Sequence, residues 1–474
     1  MAEILTPDIC VIGAGSGGLS VAAAARAFGA SVVLVERAEL GGECLYSGCV
    51  PSKALIAAGR QAHEVRGAQR FGVMADDPKI NFGRLYDHVH QVIASIAPHD
   101  SVARYEAMGV TVIRAEGRFV DKRTLVAGER QIRARRFVVA TGSHAAVPPL
   151  PGIDTVKYLT NETVFDETRR PSQLIIIGAG AIGLELGQAY HRLGAGVIVV
   201  EAQAPLQRED AELAAVALRR IRAEGLDIRS GLTVTNVAPR GHGVNVTVSD
   251  GTKEEVLAGS HVLVAVGRAP NVAGLDLEKA GIRFTPQGIR VDKGLRTSNR
   301  RVYAIGDVLG RTQFTHMAGY QASLVVRNAL FGLPVTEKRD IVPHATYTDP
   351  ELASVGLTEA EARNRRLAYR VLRWSFAEND RARTTRETEG LVKVLVDGKG
   401  TILGAGIVGP KAGELISLYA YAMANNLKIG SFLNFVAPYP TLSEVTKRVA
   451  VEFYREQVSN PWLDRLRGLV RRLP

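Results

Sequence analysis

The chain has 474 residues, of which 46% are hydrophobic and 23% charged, a composition that excludes global disorder and leaves room for about three or four domains. Its three cysteines, Cys10, Cys44 and Cys49, exclude a secreted disulfide scaffold and point to a cytosolic setting, and a secretory leader is not expected because Ile9 to Ile12 already reads as a buried strand. No apolar run reaches about 18 residues, which argues against a transmembrane helix. The formal charge of +11 reads as a basic protein that draws in anionic substrates, and no zinc-finger or RNA-binding signature points to nucleic acid.

In chain order, the strand Cys10-Val11-Ile12 runs into Gly13-Ala14-Gly15-Ser16-Gly17-Gly18, then an Ala-rich helical stretch, then a second strand, Val32 to Val35, that ends in Glu36. This is G-x-G-x-x-G in its strand–turn–helix setting. The first glycine makes the tight turn, the second lets backbone approach a pyrophosphate, and the third lets helix and strand pack closely. The helix N-terminus offers N–H groups to phosphate, and the acid offers acceptors to a ribose. The design recurs at Ile175 to Ile177, Gly178-Ala179-Gly180-Ala181-Ile182-Gly183 and Val197 to Glu201, with the acid 18 residues after the last glycine in both copies. Each copy closes on a strand that runs into glycine, Phe137 to Gly142 and Val262 to Gly267, the second followed by Arg268-Ala269-Pro270-Asn271. Two dinucleotide sites are therefore expected, joined at Pro148, Pro149 and Pro151.

Between Glu36 and the first closing strand lies Gly41-Gly42-Glu43-Cys44-Leu45-Tyr46-Ser47-Gly48-Cys49-Val50-Pro51-Ser52-Lys53. A zinc site would want further ligands nearby, and a structural disulfide is a poor reading for so small a loop in a cytosolic chain. An exchangeable dithiol/disulfide accounts for more. After residue 271 comes another strand, Val302 to Ile305, ending in Gly306-Asp307. From about 343 short β-patterned segments such as Val392 to Val396 mix with a helix near 412–426. The expected organisation is 1–150, 151–270, 271–342 as a continuation of the first segment, and 343–474. The fold class is α/β, two Rossmann-like dinucleotide-binding domains plus an α+β C-terminal dimerisation domain.

The stretch from Gly41 to Lys53 resembles the active-site signature of the class I pyridine nucleotide–disulfide oxidoreductases, the family of glutathione reductase, dihydrolipoamide dehydrogenase and mercuric reductase. The likeness extends to Ala140-Thr141-Gly142, Val266-Gly267-Arg268, Ala304-Ile305-Gly306-Asp307 and Tyr347-Thr348-Asp349-Pro350-Glu351. It implies FAD on the first copy, through Gly13, Gly15, Gly18, Glu36, Gly42, Thr141, Gly142, Asp307 and Ala318. It implies NADH, with NADPH open, on the second, through Gly178, Gly180, Gly183, Glu201 and Gly267. Glu201 favours NADH because a 2′-phosphate would face like charge, and Arg208 nearby softens that preference. The resemblance makes Cys49 the thiol beside the flavin and Cys44 the outer thiol that meets the acceptor. It pairs Lys53 with Glu185 near the flavin ring and aims the helix beginning near His316 at the same ring. Cys10 has no functional counterpart and reads as a small apolar strand residue. Electrons would pass from nicotinamide through flavin to the Cys44–Cys49 pair and on to a disulfide or a thiolate-bound metal ion, in a homodimer whose active site is shared across the interface.

One departure matters. Glutathione reductase and dihydrolipoamide dehydrogenase place a histidine before Pro-Thr near the C-terminus, with a glutamate five residues on. Here Tyr439 precedes Pro440-Thr441, and Glu444 is kept. A phenol, with a reference pKa near 10, is a poor base at neutral pH. Mercuric reductases have tyrosine there, so the chain reads as a mercuric-reductase-like member, although it has no paired-cysteine metal-binding domain and no cysteine after Cys49. Dihydrolipoamide dehydrogenase activity and a membrane-peripheral, quinone-reducing or redox-sensing flavoprotein are the alternatives. The last rests on the tail 461–474, where Trp462, Leu466, Leu469 and Leu473 recur at helical spacing among arginines. The plainer reading of that tail is a helix packed on its own protein or on the dimer partner.

Overall fold

A computed structural model describes residues 3–455 and 461–471. The chain forms two compact units, one of residues 1–178, 186–202 and 232–337, the other of 179–185, 203–231 and 338–474.

In the first unit, β1 (Ile9–Ile12) leads into α1 (Ser16–Ala27) and β2 (Val32–Glu36). Two helices follow in close succession, α2 (Gly42–Tyr46) and α3 (Cys49–Arg66), then β3 (Thr111–Arg114) and β4 (Arg136–Val139). The second copy starts with β5 (Gln173–Ile177), whose chain continues into α4 (Ala181–Arg192), and goes on through β6 (Gly196–Glu201) to β7 (His261–Val264). Then come β8 (Val302–Ala304) and α5 (Thr315–Phe331).

The first sheet has the order β8-β4-β1-β2-β3 and is parallel throughout. Its register runs Ile9↔Val32 and Ile12↔Val35 on one side of β1, and Ile9↔Arg136 on the other. Parallel strands covered on both faces need near-continuous apolar runs, and all four residues of β1 are buried. Cys10 is one of them, at 0% exposure. Strand β8 closes the sheet against β4. In the second copy β5 pairs in parallel with β6 and β7.

The second unit is built on an antiparallel sheet of β9 (His344–Thr346), β10 (Glu351–Gly356), β11 (Arg370–Ser375), β12 (Leu391–Val396) and β13 (Ile402–Gly409), in the order β9-β10-β13-β12-β11. Alternation along the strands divides their burial between two faces. Ala353 and Ile407 join the cluster that includes Ile416 and Tyr419 of α6 (Ala412–Ala424) and Val445 and Phe453 of α7 (Glu444–Arg455). Leu352 and Val408 face the other way, onto Leu213 and Ala217 of the helix Ala211–Ala223. A last helix, α8 (Pro461–Val470), follows, with Leu469 and Val470 exposed. The Leu473 of the tail motif lies outside the described residues.

Candidate active site

The two glycine turns have matching geometry. Gly13 has φ +99°, and a Cβ there would sit 2.4 Å from the Ala140 carbonyl oxygen; Gly178 has φ +107°, and its Cβ would sit 2.5 Å from the Ala265 oxygen. Only glycine satisfies both demands. The Gly13 N–H donates to the Val35 carbonyl and the Gly178 N–H to the Val200 carbonyl, each at 2.8 Å. A Cβ at Gly18 would meet the Gly13 oxygen at 1.9 Å, which is the close helix–strand approach expected of the third glycine. At Gly15, Gly142, Gly180 and Gly267 an added Cβ would meet nothing within 4 Å, so these glycines border open space. Gly15 is also the N-cap of α1, and no side chain caps that helix start. Its N–H groups are free to receive a phosphate.

Around the first turn the structure holds acceptors in place. Glu36 takes the Ala14 N–H on Oε2 at 2.6 Å and the Ala38 N–H on Oε1 at 2.9 Å. Thr141 Oγ donates to the Asn271 carbonyl at 2.8 Å, and Asn271 Nδ2 returns a bond to the Thr141 carbonyl at 2.9 Å. Asp307 accepts from Ser143 on Oδ2 at 2.6 Å, and Oδ1 has no partner among the described residues. A cofactor with a diphosphate, a ribose and a polyhydroxyl chain fits this set of uncapped amides, open glycines and carboxylates. Ala318 is buried on α5, where a Cβ at Gly17 would come within 3.1 Å of it. It fixes how α5 lies against α1.

The two cysteines lie on neighbouring helices. Cys44 lies in the middle of the five-residue α2, and Cys49 is the first residue of the 18-residue α3. Gly42 (φ +59°) brings this segment against the phosphate turn, since a Cβ there would lie 2.8 Å from Gly15 Cα. Cys49 Sγ is 3.3 Å from Thr315 Oγ1, on the first residue of α5. The Cys49 thiol is pulled down to about 6, first by the hydrogen bond from Cys44 and then by Thr315 and the Lys53 charge, against the opposing effect of burial. The same contact, with burial, pushes Cys44 well up. At neutral pH Cys49 is the thiolate and Cys44 keeps its proton.

A half-buried ion cluster adjoins the pair. The residue before Cys44, Glu43, receives both terminal nitrogens of Arg268. Arg268 also donates to Ser143 Oγ at 2.7 and 3.0 Å, and its Nε lies 3.4 Å from Asp307 Oδ2. An antiparallel ladder, Arg268↔Ala145 and Pro270↔Ser143, sets it there.

In the second unit, Glu185 is buried and accepts the Tyr347 N–H at 2.8 Å. Tyr439 is 72% exposed, and its hydroxyl donates to Asp380 Oδ2 at 3.1 Å. That bond and the Asp380 charge hold the phenol above its ordinary range, with Glu444, at the head of α7, adding to the effect. Glu201 ends β6, Arg208 is exposed, and Gly183 lies in the first turn of α4.

Sequence reasoning found the glycines, acids and cysteines. It assigned no role to Thr315, Ser143 or Asp380, which the structure places against Cys49, Asp307 and Tyr439, nor to Glu43 and Asn161, which pair beside Cys44. For Thr315 a signal existed, because it directly precedes the helix start expected near His316.

The family model described as pyridine nucleotide-disulphide oxidoreductase matches residues 7–322, and the model of that family's dimerisation domain matches 342–450. The chain belongs to the pyridine nucleotide-disulphide oxidoreductase family. Members are FAD-containing enzymes that use NAD(P)H. A mercuric reductase of Streptomyces lividans is 34% identical over 94% of this chain and 96% of its own length. A dihydrolipoyl dehydrogenase of Thermus scotoductus is 35% identical over 96% and 98%. Among solved structures, the Cu(II) complex of the HOCl-induced flavoprotein disulfide reductase RclA from Escherichia coli has a TM-score of 0.82 at 27% identity, covering 93% of this chain and 98% of that one. As a pyridine nucleotide-disulphide oxidoreductase, the protein is an oxidoreductase with a dimerisation domain, and relatives of both names stand at similar distance.

Proposed function

We propose that the protein is a homodimeric, cytoplasmic NAD(P)H-dependent flavoprotein that reduces a thiolate-bound metal ion, such as the soft Hg(II) or the harder Cu(II), in preference to a disulfide. The observation that carries this reading is the Tyr439–Asp380 hydrogen bond. Where disulfide-reducing relatives have a histidine base, this chain has a phenol held in its protonated form.

Segments 1–150 and 271–342 would hold FAD, and 151–270 would hold the nicotinamide, with NADH favoured by Glu201. Bound FAD would supply the exchange between two-electron hydride chemistry and thiol chemistry. The protein's own groups do the rest. The hydrogen bond from Cys44, then Thr315 and the Lys53 charge, keep Cys49 ionised. Cys44 retains a proton until an acceptor arrives. A soft cation displaces that proton on coordination, so it needs no proton relay, whereas a disulfide reduced to two thiols takes up two protons that a protein acid–base group must relay. Tyr439 of the partner subunit would border the outer thiol, completing a site shared across the dimer.

The test is anaerobic NADH and NADPH oxidation with Hg(II), Cu(II), lipoamide, oxidised glutathione and a quinone as acceptors. Turnover should be greatest with a metal ion. Faster turnover with lipoamide or glutathione disulfide would overturn the reading.

One observation favours a second role for the tail. Helix α8 exposes Leu469 and Val470 alongside Arg465, Arg467 and Arg471. A surface helix that mixes apolar and arginine side chains suits contact with anionic lipid. Removal of residues 461–474 should then abolish co-sedimentation with anionic vesicles, and unchanged sedimentation would refute it.

A further inference from the structure

Helix α2 is five residues long and is bounded by Gly41 (φ +110°) on one side and Gly48 on the other. A helix of one and a half turns between glycines does not persist by its own hydrogen bonds. Its orientation, and with it the position of Cys44, has to come from tertiary anchors. Two are present. Glu43 carries the paired nitrogens of Arg268, with both side chains largely buried. Asn161, at 7% exposure, donates from Nδ2 to Glu43 Oε1 at 2.6 Å and to the Ser47 carbonyl at 3.3 Å. Ser47 is the C-cap of α2, so one buried amide grips both ends of the helix that holds Cys44. Arg268 continues the same network through Ser143 to Asp307.

We infer that Glu43, clamped by Arg268 and Asn161, is a positioning residue for the outer thiol, fixing Cys44 against Cys49 and tying that helix to the Asp307 carboxylate. The inference rests on the reading of Cys44–Cys49 as the redox couple. Its physical consequence concerns the couple itself. A dithiol closes to a disulfide in proportion to how well the chain holds the two sulfurs together. Loosening α2 therefore makes the disulfide less stable relative to the dithiol. Loss of the Glu43 charge acts in the same direction, because it eases ionisation of the thiols.

The experiment is a glutathione redox titration of the full-length holoprotein, with the Cys44–Cys49 disulfide read by alkylation and mass spectrometry. Glu43→Ala should lower the equilibrium constant for disulfide formation by about tenfold, equivalent to about 30 mV. Glu43→Gln, which keeps the shape and loses the charge, should give a smaller change in the same direction. Asn161→Ala, which alters no charge, should also lower it, and Arg268→Lys should fall between wild type and Glu43→Ala because an ammonium cannot replace the two-pronged contact. A purely structural role would lower the melting temperature and leave the thiol equilibrium within twofold of wild type in all the variants that fold, and that result would overturn the inference. If wild type itself forms no Cys44–Cys49 disulfide across the titration, the underlying reading of the site fails, and the inference with it.

Discussion

Each unit of this protein buries a cation among carboxylates, and the two clusters are built for different ends. In the first, Arg268 meets Glu43 and Asp307. In the second, Lys393 is 3% exposed and its Nζ lies 2.9 Å from Asp210, 2.9 Å from Glu212 and 2.7 Å from Glu359. Asp210 is the N-cap of the helix Ala211–Ala223, so this lysine fastens a helix start to the middle of a sheet. No cysteine or nucleotide-turn glycine takes part in it. The side chains suit these tasks. A compact ammonium accepts three carboxylates around one point, whereas a planar guanidinium fixes a direction and links groups in a line. Where the line runs through residues beside Cys44, we propose that the ion pair bears on chemistry. Where the point lies inside a packed sheet, it bears on architecture.

The largest expected effect tests the architectural half. Lys393→Met leaves three carboxylates without their shared cation and should cost about 3–5 kcal/mol in denaturant unfolding, with the thiolate titration of Cys49 in the folded protein unchanged. A shift of that titration would break the comparison. The cluster also fixes a pH window. Arg373 holds Glu212, and Lys393 holds Glu359, below the usual carboxylate range; burial opposes the Lys393 charge, but its hydrogen bonds raise it overall. Depressed acids contribute stability that is present above their unfolded pKa, near 4.3, and is lost as pH falls through their lower folded values. A raised lysine contributes stability that is present below about 10.4 and is lost only above that. Thermal stability of the second unit should therefore be flat from about pH 5 to 10 and fall at either end.

Tyr439 sharpens the comparison, because it lies in the second unit and is expected to change chemistry without changing stability. Tyr439→His should raise turnover with lipoamide by about tenfold, a fraction of what general-base catalysis supplies in full, since Glu444 is already placed nearby. No gain with lipoamide, together with no loss for Tyr439→Phe with any acceptor, would remove Tyr439 from the mechanism.

The smallest effects concern the first unit. Thiolate absorbance of the reduced protein should appear with a midpoint near pH 6, fully formed at neutral pH and lost as pH falls through that value. Cys44→Ala should move the midpoint upward most, since its hydrogen bond is the largest contribution, and Thr315→Val should move it by about one pH unit. A midpoint that ignores both changes would mean that Cys49 is not held as the structure shows.

The sequence by itself determined the nucleotide folds and marked the cysteine pair, because their requirements are local. A backbone that must pass within contact of a neighbouring carbonyl demands glycine at Gly13 and Gly178, and an apolar strand ending in an acid is written in consecutive residues. The order of the two sulfurs came from the family pattern alone. Only the tertiary structure decided what surrounds them. Glu43 and Arg268 are 225 residues apart, Cys49 and Thr315 are 266, and Lys393 and Asp210 are 183. No periodicity or short motif records such a pairing. A charged residue in a sequence reads as solvated surface until the fold removes the water from around it, and it is that loss of water that turns Glu43, Arg268 and Lys393 into partners.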